Sequence, residues 1–500
     1  MPAPISQDLP EIFIPEDARW ASRAAARGEI RRLARGLYST NLDEPVEQLV
    51  RRRWADVAAL YFRNAVVVDR SAVLAGPTPD GLLFLDSGPT PARPRPVELP
   101  GLSLRPRGGP GPVEGDMPFV KIWMSGPARA LLDNMRPSRA RSGSPRTLRR
   151  SELEERLAQI PAVRGDAALN ELRDAARQIA PALGMGPELE ALDELLGALQ
   201  GTRETELTTS VGRARKAGLG YDAARMARFE ALRAELAQQE LPVRPEAADP
   251  DRLFAFFEAY FSNWIEGTEF EVGEAEEIVF EGKIPPQRPA DAHDVQGTFE
   301  AITDRRLRSA TPSNADELEE IVTAMHRHVM GGRPEVGPGE YKHEPNRAGN
   351  TNFVHPDLVR GTLREGFTFY STLPAGLPRA IYAMFLVAEV HPFADGNGRV
   401  ARLLMNAELT AAGLCRVMIP LPYRDEYLNA LRALSRNDNP RPLWRMTDRA
   451  QRWASSMSWT SHDRVFELMD QTNALVDPRD VENSDVHLLD PPTGADPTGA

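Results

Sequence analysis

The stretch His391-Pro392-Phe393-Ala394-Asp395-Gly396-Asn397-Gly398-Arg399-Val400-Ala401-Arg402 gathers the residue types best suited to chemistry. His391 can take a proton from a hydroxyl near neutral pH. Asp395 can carry a Mg2+ bridging two phosphates, because Mg2+ prefers one or two carboxylates completed by phosphate oxygens. Gly396 and Gly398 permit backbone angles other residues avoid and let the chain approach a ligand closely. A glycine-rich turn that opens a helix points unpaired N–H groups outward and makes an anion site. Arg399 and Arg402, three apart on that helix, can face one anion. These are parts for phosphoryl or nucleotidyl transfer.

The elements that must position them flank the stretch. The apolar run Ala380 to Val390 precedes it and a helix-like segment, Leu403 to Ala412, follows. The expected arrangement is helix, tight loop, helix.

A second constellation lies some 125 residues earlier. Asp249-Pro250-Asp251 suits a helix start, with Asp249 as N-cap, Pro250 at the first position and Asp251 at the positive end of the dipole. Phe254, Phe256, Phe257, Tyr260, Phe261 and Trp264 then fill most of one face, which predicts a buried helix. It ends Ser262-Asn263-Trp264-Ile265-Glu266-Gly267. Ser262 and Glu266 share a face, and Gly267 is a natural C-cap. An acid at a helix C-terminus is disfavoured by the dipole, so Glu266 calls for a partner such as an arginine.

The twelve-residue stretch resembles the Fic family signature, H-x-F-x-[DE]-G-N-G-R-x-x-R, at every fixed position. The end of the aromatic helix resembles that family's inhibitory motif, [ST]-x-x-x-E-[GN]. The resemblance implies an all-helical Fic domain over about 245–460 with one small β-hairpin flap. It implies a protein adenylyltransferase that moves AMP from ATP to a Ser, Thr or Tyr hydroxyl of a target protein. In that scheme His391 is the base and Asp395 holds Mg2+. Gly396, Asn397 and Gly398 hold developing charge through main-chain N–H groups and the Asn397 side chain. Arg399 and Arg402 bind the β- and γ-phosphates. Glu266, with Ser262 and Gly267 in the inhibitory motif, pairs with Arg402 and misplaces ATP. In the family's Doc branch the position of Gly398 is lysine and the transferred group is the γ-phosphate; glycine here favours AMP. Pro338-Gly339-Glu340-Tyr341-Lys342 resembles the phrase before the flap, which would be His343 to Pro356 with Gly349-Asn350 at its tip. Tyr427 is the candidate to flank the nucleotide base, though a core tyrosine fits the sequence equally well. Removal of AMP with the help of Glu266 is the alternative within the family.

The chain has 500 residues, 41% hydrophobic and 26% charged, ordinary for a soluble globular protein of several domains. One cysteine, Cys415, excludes an internal disulfide or a cysteine zinc cluster. The N-terminus shows no signal pattern and the most apolar run is too short to span a bilayer, so a cytoplasmic location is expected. The sequence leaves homo-oligomer formation open.

Net charge is −12, yet residues 1–150 carry 23 Lys+Arg against 16 Asp+Glu. Residues 17–38 read as a short helical unit, with Ile30, Leu33 and Leu37 at helical spacing and Gly36 ending it. This phrase resembles the winged-helix start of AbiEi-type antitoxins, which implies an α+β domain over 1–135. The resemblance makes DNA contact through Arg27, Arg31, Arg32 and Arg35 the alternative function, as a toxin–antitoxin-type regulator; the same arginines also suit a solvated helix face. Gly81 to Leu85 and Met117 to Met124 read as strands, 87–115 as a Pro/Gly-rich loop and 136–150 as an Arg-rich linker. A helical connector is expected over 151–244, opened by a Ser151–Glu154 capping box. Residues 461–500 read as a C-terminal helix and a disordered tail from 478.

Overall fold

A computed structural model describes residues 9–89, 94–140, 143–246, 252–459, 461–480 and 486–492. Two compact units emerge: residues 1–160 with 166–217, and residues 161–165 with 218–500.

The first unit begins with β1 (Ile12–Phe13), α1 (Ala18–Ala26), β2 (Arg31–Ala34) and β3 (Leu37–Ser39). The strands form a small antiparallel sheet in the order β1-β3-β2. Residues 30–37 are therefore a hairpin, not the expected helix. Gly28 (φ 74°) stops α1, and Gly36 (φ 80°) sits in the tight turn between the strands. Then come α2 (Val46–Arg52), α3 (Trp54–Tyr61), β4 (Val66–Val67), α4 (Asp69–Val73), β5 (Leu82–Asp86), β6 (Val97–Leu99), β7 (Leu102–Arg107), β8 (Met117–Phe119), β9 (Ile122–Met124) and α5 (Pro127–Asn134). Six strands make a mixed sheet ordered β6-β7-β5-β4-β9-β8. Two expectations are corrected here. The Pro/Gly-rich loop contains the β6–β7 hairpin, and the strand Met117–Met124 is folded in two at Val120 (φ 55°).

Helices α6 (Arg150–Gln159), α8 (Ala167–Leu183), α9 (Gly186–Leu199) and α10 (Ser210–Lys216) complete this unit, while α7 (Pro161–Arg164) belongs to the second. The expected connector is thus shared between the units. The described part of 136–150 is not a free spacer. Thr147 Oγ1 donates to Arg136 O at 2.7 Å, and Arg70 spans Pro145 O and Glu152 at 2.8–2.9 Å. At the start of α6 Arg149 N donates to Glu152 Oε2 at 2.6 Å, and the expected Ser151–Glu154 box is absent, because Glu154 turns inward to accept from Thr208 and Thr209.

Beneath the larger sheet lies a sealed ionic cluster. Arg129 of α5 is fully buried and reaches Asp86 at 2.6 Å and Asp116 at 2.5 Å. Arg107 reaches Asp133 at 2.5 Å. Burial, tempered by Arg107, pushes the Asp133 carboxyl up to about 6.

The second unit is helical: α11 (Ala223–Leu236), α12 (Arg252–Ile265), α13 (Val272–Glu281), α14 (Pro289–Thr303), α15 (Ala315–Val329), α16 (Pro356–Tyr370), α17 (Leu377–Val390), α18 (Asn397–Ala411), α19 (Arg424–Asn437), α20 (Arg441–Ser456) and α21 (His462–Gln471). A two-stranded hairpin, β10 (Arg347–Ala348) and β11 (Thr351–Asn352), interrupts them, with Gly349-Asn350 at its tip. Helix α17 is apolar all round and buried on nearly every side, as a central helix must be. It packs chiefly on α18, the helix the signature opens. Helix α12 lays its aromatics into the same core, and Phe256, Phe257 and Phe261 are essentially buried. The expected cap at Asp249–Asp251 lies outside the described residues, as do 481–485 and 493–500 of the expected tail. No described helix is long and apolar enough to cross a membrane.

Candidate nucleotide site

The site is assembled where α17 ends and α18 begins. The chain leaves α17 through His391 in the left-handed conformation (φ 54°). A non-glycine residue held there stores strain that the surroundings must impose. Phe353, just past the hairpin, stacks on the imidazole at 3.6 Å and 5°. Lys342 donates from Nζ to the His391 carbonyl and to Asn346 Oδ1, both at 2.7 Å. His391 Nδ1 lies 3.3 Å from Ala388 O. That contact puts the ring proton on Nδ1 and leaves Nε2 as the acceptor. Burial, reinforced by the Lys342 ammonium, lowers the His391 pKa to about 4, so the ring is neutral at pH 7. Burial and Arg225 together bring Lys342 down to about 7.

The loop closes on itself. Asn397 Oδ1 accepts from Phe393 N at 2.8 Å and its Nδ2 donates to Phe393 O at 2.9 Å. The Asn397 side chain, expected to face developing charge, is instead bound to the Phe393 main chain and shapes the turn. What it can still offer is a main-chain N–H. Helix α18 starts at Asn397, and the N–H groups of its first turn have no helical carbonyl before them. His326 of α15 braces the loop from behind. It stacks on Phe393 at 3.8 Å, accepts from Gly339 N at Nδ1, and contacts Asp395 O through Nε2. Burial lowers its pKa to about 4.

Both arginines are held by acids. Arg402 Nη2 lies 2.8 Å from Glu266 Oε1, and its Nε and Nη2 donate to Ser262 Oγ and Ser262 O at 3.0 and 2.8 Å. Arg399 Nη1 lies 2.5 Å from Asp294 Oδ2 of α14 and 3.3 Å from Asn263 Oδ1. Burial pushes the Glu266 carboxyl up, but Arg402 and Arg399 outweigh it and hold it below the usual carboxylate range. Gly267 takes φ 92° just beyond α12 and turns the chain away.

Gly398 brings the two sequence motifs together. A Cβ built there would lie 2.0 Å from Glu266 Oε1. The Glu266 carboxylate occupies the space a side chain would need.

Asp395 is the loop's acid. Its Oδ1 accepts from Gly396 N at 2.7 Å, and Arg333 Nη1 lies 2.9 Å from Oδ2. Burial raises its pKa, but Arg399, Gly396 N–H and Arg333 bring it below the ordinary value. The described residues hold no group of three His, Cys, Asp or Glu placed to bind a metal. A cation at Asp395 thus needs phosphate oxygens and water for its other positions, a donor set that suits Mg2+.

A cavity of about 660 Å³ opens beside these groups. Glu266, His391, Gly398, Arg402 and Tyr427 line it, with Ala348 to Thr351 of the hairpin at its edge. Tyr427 is 1% exposed, and the Arg402 guanidinium lies 5.8 Å from its ring centre. It serves the core and the cavity wall together. Of the residues singled out from sequence, Glu266, His391, Gly398, Arg402 and Tyr427 line this cavity, Ser262 holds Arg402, and Asp395 and Arg399 are in the same loop and helix without lining it. Asp294, Arg333, His326 and Phe353 were not foreseen. Asp294 offered a faint signal: it shares a buried helix face with Thr298 and Ala301, where an acid requires a partner.

A glycine turn opening a helix, two arginines behind it and a neutral histidine beside a cavity make a candidate anion site. The chain matches the Fic/DOC family over residues 316–409. It is 28% identical over 221 residues to protein adenylyltransferase fic-1 of Caenorhabditis elegans, and 26% identical over 220 residues to protein adenylyltransferase Fic of Drosophila melanogaster. Each match covers 42% of this chain and 43% of the relative, so the chain spans less than half the length of these curated relatives. Among solved structures, a fragment of C. elegans Fic-1 is 22% identical, covering 61% of this chain and 97% of the fragment with a TM-score of 0.35.

Proposed function

We propose that the chain is a protein adenylyltransferase that transfers AMP from ATP to a Ser, Thr or Tyr hydroxyl of a target protein, and that Glu266 holds it in an inhibited state. The observation that carries this reading is the Glu266–Arg402 pair beside Gly398, at the mouth of a cavity shared with a neutral His391.

In this mechanism His391 Nε2 accepts the proton of the target hydroxyl, and the oxygen attacks the α-phosphate. Main-chain N–H groups at the start of α18 stabilise the charge that develops there. Arg402, once released, and Arg399 bind the β- and γ-phosphates and assist departure of pyrophosphate. Mg2+ on Asp395 would neutralise phosphate charge when bound. Tyr427 forms part of the wall against the base. The hairpin Arg347–Asn352 offers the target an extended main-chain edge, a sequence-tolerant mode of recognition. The geometry acts mainly by positioning and electrostatics, as in phosphoryl transfer generally. The N-terminal 1–135 region is read as a winged-helix-like module. Arg27 pairs with Glu29, Arg31 donates to Glu44 O and Arg32 to Ala34 O, and Arg27, Arg32 and Arg35 are the exposed ones that DNA would meet.

The test uses ATP labelled at either the α- or the γ-phosphate, with the Glu266→Gly chain. Label should enter protein from the α position only. Transfer from the γ position would replace this reading with phosphate transfer. Release of AMP from a modified protein by the wild-type chain would point to the reverse reaction.

A further inference from the structure

Arg333 lies outside every motif considered so far, yet it touches the carboxylate of the signature loop. It follows α15, where its N–H donates to Met330 O and turns the side chain inward. Its Nη1 is shared between Asp395 Oδ2 at 2.9 Å and Asp294 Oδ2 at 3.3 Å. Its Nε lies 3.3 Å from Glu335 Oε1. The side chain is 24% exposed, so it has room to move. Asp294 is buried and its Oδ1 has no hydrogen-bond partner.

Asp395 has two oxygens. Gly396 N–H takes Oδ1, so Oδ2 is the better acceptor for a cation, and Arg333 covers it. A guanidinium and a divalent ion at contact distance on one oxygen repel as like charges. Mg2+ also demands a near-octahedral shell and gives up its water reluctantly, so it cannot share the oxygen's face with a planar donor fork.

We propose that Arg333 guards Asp395: it occupies the carboxylate oxygen that a divalent cation would take, and moves fully onto Asp294 when the cation binds. Arg333 is then a positioning residue, acting through Asp395 rather than on substrate. The site carries two separate restraints, Glu266 on Arg402 and Arg333 on Asp395. Asp294 serves as the place Arg333 retreats to, so that no charge is left buried without a partner.

The nucleotide arm of the test rests on the adenylyl-transfer reading; the metal arm does not. Mn2+ binding is followed by the electron paramagnetic resonance signal of the free ion. The full chain carrying Glu266→Gly is used, with and without a non-hydrolysable ATP analogue. Adding Arg333→Gln should tighten Mn2+ about three- to tenfold in both arms. Adding Arg333→Lys, which keeps the charge, should stay within about twofold of the parent. In an Asp395→Asn background the gain from Arg333→Gln should vanish, because the two residues act on one another. Unchanged or weakened Mn2+ binding in Arg333→Gln overturns the proposal, and so does a gain that survives Asp395→Asn. If the analogue fails to bind, the adenylyl-transfer reading falls, while the Mn2+-alone arm still decides the role of Arg333.

Discussion

Two of the buried arginine–carboxylate networks among the described residues, one from each unit, differ in what lies beside them. In the first unit Arg129 is fully buried, with Asp86, Asp116 and Asp133 around it. Gly109 is packed so tightly there that a Cβ would lie 2.2 Å from Asp86 Oδ2. In the second unit Arg402 is held as firmly, but its partner Glu266 is one-third exposed and both line a 660 Å³ cavity. The same ion-pair chemistry is closed off in one place and opens on a cavity in the other. A closed network fixes a fold. A network on a cavity wall can trade its carboxylate for the phosphate of a ligand, because the arginine meets a new anion instead of being left bare.

Four outcomes would break or sharpen that contrast. The largest concerns the group that only the open network serves. In the Glu266→Gly background, His391→Ala should lower self-modification by about 10²–10⁴-fold, the scale of a lost general base; retention of most activity would remove His391 from the mechanism. Next is the closed network. Arg129→Met leaves several aspartates buried without their cation and should destabilise the first unit by about 3–5 kcal/mol. Chemical denaturation followed by tryptophan fluorescence measures this, and a change under 1 kcal/mol would mean the cluster relaxes or takes up water. Third is Gly398→Ala. In the wild-type chain the added methyl displaces Glu266 and should raise self-modification several-fold. In the Glu266→Gly background it should lower it by about tenfold, since it then intrudes on the phosphates. The same sign in both backgrounds would contradict the shared space. The smallest effect is with pH. His391 acts as a base when neutral, and its pKa is lowered to about 4. Activity of the Glu266→Gly chain should therefore vary less than about twofold between pH 6 and 8 on account of His391, and fall as the pH approaches 4. A fall centred near 6.5 would mean the ring is not desolvated.

The second unit was largely legible because its chemistry is local. The signature brings base, acid, glycines and arginines within twelve residues, and helices of period 3.6 surround it. The hairpin tip at Gly349-Asn350 followed from turn chemistry. Asp294 and Arg333 were hard to read, because each matters only through partners 39 or more residues away on other elements. Asn397 misled for a related reason: its type suits an anion, but the loop needs its amide to bind Phe393. The first unit was read less well. Ile30, Leu33 and Leu37 satisfy a helical period, yet Gly36 turns the chain and strand pairing with Ile12–Phe13 prevails. Sheet order is set by contacts between distant strands, such as Val66 with Trp123, and local pattern carries little trace of them.

The central claim is that the site is complete but held off by Glu266. The direct test compares incorporation of α-labelled ATP into the wild-type chain and into its Glu266→Gly form at equal concentration. The account predicts little label in wild type and at least about tenfold more in Glu266→Gly, the scale on which releasing one buried charged hydrogen bond acts. Equal labelling of the two chains, or loss of labelling in Glu266→Gly, would contradict it.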